Sequence, residues 1–268
     1  MTQMAPRIAQ LALFVVIMVL WHLLTEPGLL PQLYFDNPNQ AAFFFGQPLK
    51  VFAAIWDWFI SGSIYSHLGV TLFETLMAFA IGTTFGLGMG LWLALSPAMS
   101  LVLDPYIKAV NAMPRVILAP IFAVWFGLGV WSKVALGVTL VFFVVFFNVY
   151  QGVREVSPTL IANARMLGAD KRQLLRSVYL PSAMSWVFSS LHTSVGLAFV
   201  GAVVGEYLGS AAGVGYLILQ AEGRFDVNTV FAGILVLTAF ALFLDAIVSR
   251  IERHLMRWQP GTGQTEKL

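Results

Sequence analysis

The chain has no cysteine, which excludes disulfides, Cys-ligated zinc and thioether haem attachment. Charge is scarce: Asp, Glu, Lys and Arg make up 10% of the residues, against about 25% in a soluble domain. A net charge of +2 is too small to imply nucleic acid as a partner. No G-x-x-x-x-G-K-[ST] occurs, nor even a Gly-Lys dipeptide, so the loop that cradles nucleotide phosphates is missing. The four histidines show no H-E-x-x-H or other ligand spacing, so no metal site is expected.

What is present is apolar. Of 268 residues, 59% are hydrophobic, and the mean hydropathy is +0.81. The apolar runs are continuous rather than alternating, which speaks for membrane helices and against a β-barrel. The expected fold is therefore an all-α integral membrane protein. Six spans are read, at about 8–24, 69–95, 101–126, 134–150, 184–208 and 229–247. The first run is long for a signal-peptide core and no small-residue cleavage site follows it, so a retained helix is expected. Residues 25–48 are rich in Pro, Gly, Asn and Gln and read as an irregular loop. Residues 49–60, with Trp56 and Trp58, read as a helix lying in the interface. Pro105, Pro114 and Pro120 interrupt the third span, and residues 209–228 read as a re-entrant or surface loop. Gly82, Gly86 and Gly90, and again Gly201, Gly205 and Gly209, recur every four residues. Such rows let helices approach closely; their functional reading is rocking of helices at a dimer interface.

The longest charged stretch between apolar runs is Ser157–Pro181. Ser157 with Pro158 predicts a capped helix start, and Gly168 a left-handed stop. Asp170 and Gln173 predict a capping box on a second short helix, and Pro181 the next break. Leu160, Ile161, Ala164 and Leu167 share one helical face; Leu174, Leu175 and Val178 share another. An apolar face outside the membrane needs a partner groove or a lipid surface. With the N-terminus inside, twelve Lys and Arg fall on the inner side and three, Lys50, Lys133 and Arg224, on the outer. The positive-inside rule then puts this element and both termini in the cytoplasm.

Polar groups within spans face a path or a partner helix. Glu74, Arg115, His192, Glu206 and Asp245 are the ionisable ones. Arg115 follows Pro114 and suits a carboxylate or sulfonate, or else anchors topology. Asn111, Asn148 and Gln151 can line an aqueous path or bond between helices. Glu206 reads as a gating or docking group, or as a carboxylate that reaches the outer interface or accepts backbone N–H bonds from the following loop. His192 reads as a packing residue with its ring nitrogens satisfied, and Asp245 as the partner of a tail arginine.

LGADKRQLLRSVYLPSA resembles the "EAA" signature of permease subunits in binding-protein-dependent ABC importers. LDPYIKAVNAMPRVILAPIFAVWFGLGVWSK, NVYQGVREV and VVGEYLGSAAGVGY resemble the nitrate/sulfonate/taurine subgroup, and the likeness covers about 65–258. It implies a MetI-like bundle of the type I importers. Residues 1–64 would be a first span, periplasmic loop and interfacial helix; 65–258 the core; 259–268 a flexible tail. It implies a homodimer, two ATPase subunits that carry the ATP and Mg, and a periplasmic or lipid-anchored solute-binding protein. The chain itself would bind no cofactor. The location implied is a bacterial inner membrane. Ala164, Leu167, Gly168, Ala169, Asp170, Leu174, Leu175, Leu180 and Pro181 would couple to the ATPase. The solute implied is a small anion such as a sulfonate, taurine, nitrate or an aromatic carboxylate, or else a pyrimidine vitamin precursor. Ala162 and Asn163 depart from the acidic signature, Ser185 replaces a proline, and Glu74 stands where many relatives carry arginine. A secondary transporter would show internal repeats and coupling carboxylates; no convincing repeat is seen. A membrane scaffold or sensor would also suit a capped cytoplasmic element.

Overall fold

A computed structural model describes residues 4–33, 36–37 and 39–255. The described residues form helices and turns, with no strand. The chain divides into two units. One gathers Met1–Leu68 and Ala212–Ala239, the other Gly69–Ala211 and Phe240–Leu268. Arg257 and the tail 259–268, with Lys267, lie outside the described residues.

The first unit opens with α1 (Met4–Thr25). The stretch read as irregular holds a 3-10 turn at Leu30–Leu33 and α2 (Asn39–Phe45). α3 (Pro48–Ser61) follows and ends at Gly62, φ +75. Here proline opens the helix and glycine closes it, each where its backbone costs least. The other expected loop, 209–228, is also partly helical: Val214–Gly223 occupies half of it.

The second unit is built around one helix. α4 (Ser63–Ala94) leads into α5 (Pro97–Asn111) and α6 (Leu118–Phe126), which meet at a bend of 76°. The single span expected at 101–126 is thus a broken pair. Pro114 has no N–H to give and disfavours helix in the residue before it, so the chain turns there. Pro105 is carried within α5, and Pro120 sits in the first turn of α6, where an N–H would lack a partner anyway. α7 (Val130–Arg154) is the hub, with buried side chains on all sides. α8 (Pro158–Met166) and α9 (Lys171–Leu174) form the element between spans. A π-helical turn, Leu175–Tyr179, joins α9 to α10 (Leu180–Ser189), and α11 (Leu191–Leu208) follows after Ser190. α12 (Val214–Gly223) and α13 (Val227–Leu255) complete the chain.

Among the described residues, three helices are long and apolar enough to cross a membrane: Ser63–Ala94, Val130–Arg154 and Val227–Arg253. The bent pair makes a fourth, and Ala12–Thr25 is a shorter apolar helix. The count of six expected spans is not reached this way. The fifth is interrupted at Ser190.

Both glycine rows pack on α7. A Cβ at Gly82, Gly86 or Gly90 would lie 2.7–2.9 Å from Val141, Val145 or Val149. On another side, Gly201 would meet the Gly137 backbone at 2.5 Å and Gly205 the Lys133 stem at 2.9 Å. Gly209, which continues the row past the helix end, faces Leu128 at 3.2 Å. The missing side chains let backbones touch where lipid supplies no hydrophobic drive for helix association. The rows are therefore internal seams of one chain, and their reading as a sliding dimer surface is corrected. Ala78, Val141, Val145, Val149, Val153 and Ala198 fill the core beside them.

Candidate functional site

The element after α7 is built as its local chemistry requires. Pro158 opens α8, but the Ser157 side chain makes no capping bond, which corrects its expected role. Gly168 closes α8 at φ +84. Its N–H donates to the Arg165 carbonyl at 2.9 Å, and Ala169 N–H to the Ala164 carbonyl at 3.0 Å. This pair of bonds is the Schellman arrangement. A Cβ at Gly168 would meet nothing within 4 Å, so the backbone angle, not space, requires glycine. Asp170 Oδ1 accepts from Gln173 N–H at 2.7 Å, and Gln173 Oε1 from Asp170 N–H at 2.8 Å, which completes the capping box.

Beyond it the chain does not break at Pro181. Leu180 N–H donates to the Leu175 carbonyl, five residues back, and helix resumes. The wider turn accommodates a proline ring that would collide with the carbonyl four residues earlier. No residue of α8 is buried. Leu167 is 89% exposed, Met166 85% and Leu175 38%. Leu174 is buried, so it holds the element together and is not on its surface, contrary to its expected place in a docking face.

At the far end of α7 lies a buried charge cluster. Glu74 of α4, Lys133 of α7 and Glu206 of α11 are each at most 1% exposed. Thr71, one turn before Glu74, donates its hydroxyl to Glu206 Oε1 at 2.6 Å. Glu74 and Glu206 lie within hydrogen-bonding reach of each other, and Lys133 is near both. Lys133 Nζ donates to the carbonyls of Leu128 and Gly129 at 2.5 and 3.1 Å. No donor reaches Glu74 Oε2. The cluster thus ties α4, α7 and α11 to the turn between α6 and α7. Glu206 does not reach out to an interface. Lys133, expected as an outer topology anchor, was missed: a lone lysine opening an apolar helix carries no local sign that Gly205 makes room for its stem.

The other polar candidates sit along α5 and α7. Arg115 lies just past the bend, its guanidinium 4.9 Å from the centre of the Phe143 ring. Nη2 donates to the Asn111 carbonyl at 3.2 Å and to Asn111 Oδ1, while Nε is buried with no partner. Asn148 Nδ2 bonds the Val144 carbonyl and Gln151 Nε2 bonds Glu155, each on its own helix. His192 has a partner on each ring nitrogen: Nε2 lies 3.0 Å from Ser249 Oγ and Nδ1 3.3 Å from Glu252. Asp245 is in no ion pair among the described residues.

Apolar helices of spanning length, packed along glycine seams and carrying a capped two-helix element between them, mark an integral membrane protein. The family named "Binding-protein-dependent transport system inner membrane component" matches residues 82–257. A Bacillus subtilis permease assigned to aliphatic sulfonates transport, SsuC, is 32% identical over 212 residues, 79% of this chain and 77% of that one. The formylaminopyrimidine transport permease ThiX of Halalkalibacterium halodurans is 30% identical over 251 residues, 92% and 94% of the two chains. An inward-facing structure of the MetNI methionine ABC transporter shares the fold, with TM-score 0.63 at 18% identity over 71% of this chain and 95% of that one. The chain belongs to this family of ABC importer permeases, and its fold is the MetI-like, type I importer fold.

Proposed function

We propose that this permease carries a small anion, a sulfonate or a comparable carboxylate, into the cytoplasm by alternating access. The observation that carries the anion is Arg115. Its guanidinium sits at the bend of a broken membrane helix, beside the middle of α7, with Nε unpaired. Broken helices and cations at such depth are the usual means of holding an anion within a membrane. The sulfonate relative supports the same class. A pyrimidine precursor is the second reading, supported by the ThiX relative.

In this reading two copies of the chain form the path, and two ATPase subunits hold the ATP and Mg. A solute-binding protein delivers from outside. The chain catalyses no covalent step and binds no cofactor or metal of its own. It resides in a bacterial inner membrane with both termini and the 157–181 element in the cytoplasm. The element enters an ATPase groove through Ala164, Leu167, Ala169 and Leu175, shaped by Gly168 and Asp170. Leu180 and Pro181 pass the motion into α10. Asn111 and Asn148 join Arg115 on the path, and Glu206 braces its outer end.

Co-purification from detergent tests the docking. An ATPase should accompany the full-length permease and be lost on Gly168→Pro or on Met166→Asp with Leu167→Asp. Transport by the chain alone in liposomes under an ion gradient would refute the reading.

A further inference from the structure

The charges of α5 do not sit where topology anchors sit. Ser100, Asp104 and Lys108 recur every four residues on one face of α5, and Asn111 and Arg115 continue the line to the bend. α7 supplies the register. Ser100 Oγ is 2.5 Å from Tyr150 Oη near the end of α7, whereas Arg115 lies on Phe143. Those levels are seven residues apart on α7, about 10 Å at 1.5 Å per residue. Arg154, a turn beyond Tyr150, donates Nη1 to Tyr150 Oη at 2.7 Å and lies over its ring.

Between the two helices opens a cavity of about 680 Å³. Asp104, Lys108, Asn148, Gln151 and Arg154 are among the polar groups that line it, with Phe146 and Trp186 on its apolar wall. Lys108 and Asp104 pair at 2.6 Å, yet their side chains remain 67% and 50% exposed. Exposed charge partway along a broken span, just before its bend, needs water or an ionic partner rather than lipid tails. Lys108 and Arg154 against Asp104 leave the cavity lining with one net positive charge, and Arg115 lies beyond it towards the bend.

We infer that α5 and α7 form an anion-conducting groove on the inner half of the path, in which Lys108 relays an oxyanion from Arg115 towards Arg154. Asp104 is the internal competitor: it occupies Lys108 when no anion is present and keeps Lys108 from trapping one. The ligand class is a singly charged oxyanion small enough for the cavity, such as a sulfonate. The inference rests on the transport reading above. An acidic lipid headgroup could use the same chemistry, and the test separates the two.

The natural chain has no cysteine, so a single Leu101→Cys, on the exposed wall of the cavity, gives a clean reporter. The full-length chain in lipid nanodiscs is treated with anionic sulfonatoethyl or cationic trimethylammonioethyl methanethiosulfonate. Rates are normalised to those of a small thiol in solution. The anionic reagent should be favoured. Lys108→Gln should slow it by about threefold to tenfold, the effect of one partly screened charge at this range, and Asp104→Asn should speed it by a similar factor. The cationic reagent should shift the opposite way in both. Opposite signs from two neighbouring substitutions cannot arise from misfolding. A Leu242→Cys reporter, exposed on α13, should react with neither. Leu101→Cys as silent as Leu242→Cys would mean that lipid fills the groove, and a rate ratio indifferent to Lys108 and Asp104 would mean no relay; either overturns the inference. Neither touches the ATPase co-purification, which judges the transport reading by itself.

Discussion

Lys133→Met is the sharpest probe of how this permease is held together. Methionine keeps most of the stem that lies against Gly205 and removes the ammonium. Two carboxyl groups, Glu74 and Glu206, then share a buried site without a cation, and the Leu128 and Gly129 carbonyls lose their donor. Hydrogen bonds to a charged group are worth about 1.5–3 kcal/mol each, so losing the two made by Lys133 costs about 3–6 kcal/mol. At about 2–4 °C per kcal/mol for a chain of this size, the midpoint should fall by roughly 6–24 °C. Glu206→Gln keeps an oxygen for the Thr71 hydroxyl and removes one charge, so its effect should be smaller. Combined with Lys133→Met, it should restore more than about 1 kcal/mol relative to the sum of the two single changes, the mark of groups in contact. Thermal unfolding of the full-length chain in one detergent, followed by tryptophan fluorescence, measures all three. A Lys133→Met midpoint within about 2 °C of the parent, or strictly additive shifts, would refute the cluster as a strut.

Two further substitutions separate space from backbone. Gly86→Ala places a methyl 2.9 Å from the Phe142 carbonyl and Val145 and should destabilise by about 1–3 kcal/mol, whereas Gly88→Ala, with nothing within 4 Å, should be neutral or slightly stabilising in the same melts. Gly168→Ala should cost about 1–2 kcal/mol locally because φ is positive, weakening ATPase capture in pull-down without lowering the amount of protein in the membrane; Gly168→Asn should retain more of it.

Much of the fold was legible in the order of residues. Continuous apolar runs gave the class, and short-range capping gave the 157–181 element nearly bond for bond at Gly168, Asp170 and Gln173. These features depend on neighbours within a turn or two. The misreadings have the same origin. Pro181 announces a break, yet one wide turn absorbs it. Residues 25–48 and 209–228 carry loop composition, yet packing makes short helices of them.

What the sequence determined by itself was whatever local sterics and solvation decide: an all-helical membrane chain, the positions of turns, and a capped basic element with no nucleotide loop of its own. Tertiary structure alone decided which residues meet. The glycine rows announce close approach but not to what, and only the fold sets both against α7. Lys133 and Glu206 lie 73 residues apart in the chain, and no pattern links them until Gly205 opens the space between their helices. Likewise Lys108 and Arg154 become one groove only because α5 and α7 lie side by side, with Ser100 against Tyr150. Long-range juxtaposition is set by packing, which no local pattern in the sequence encodes.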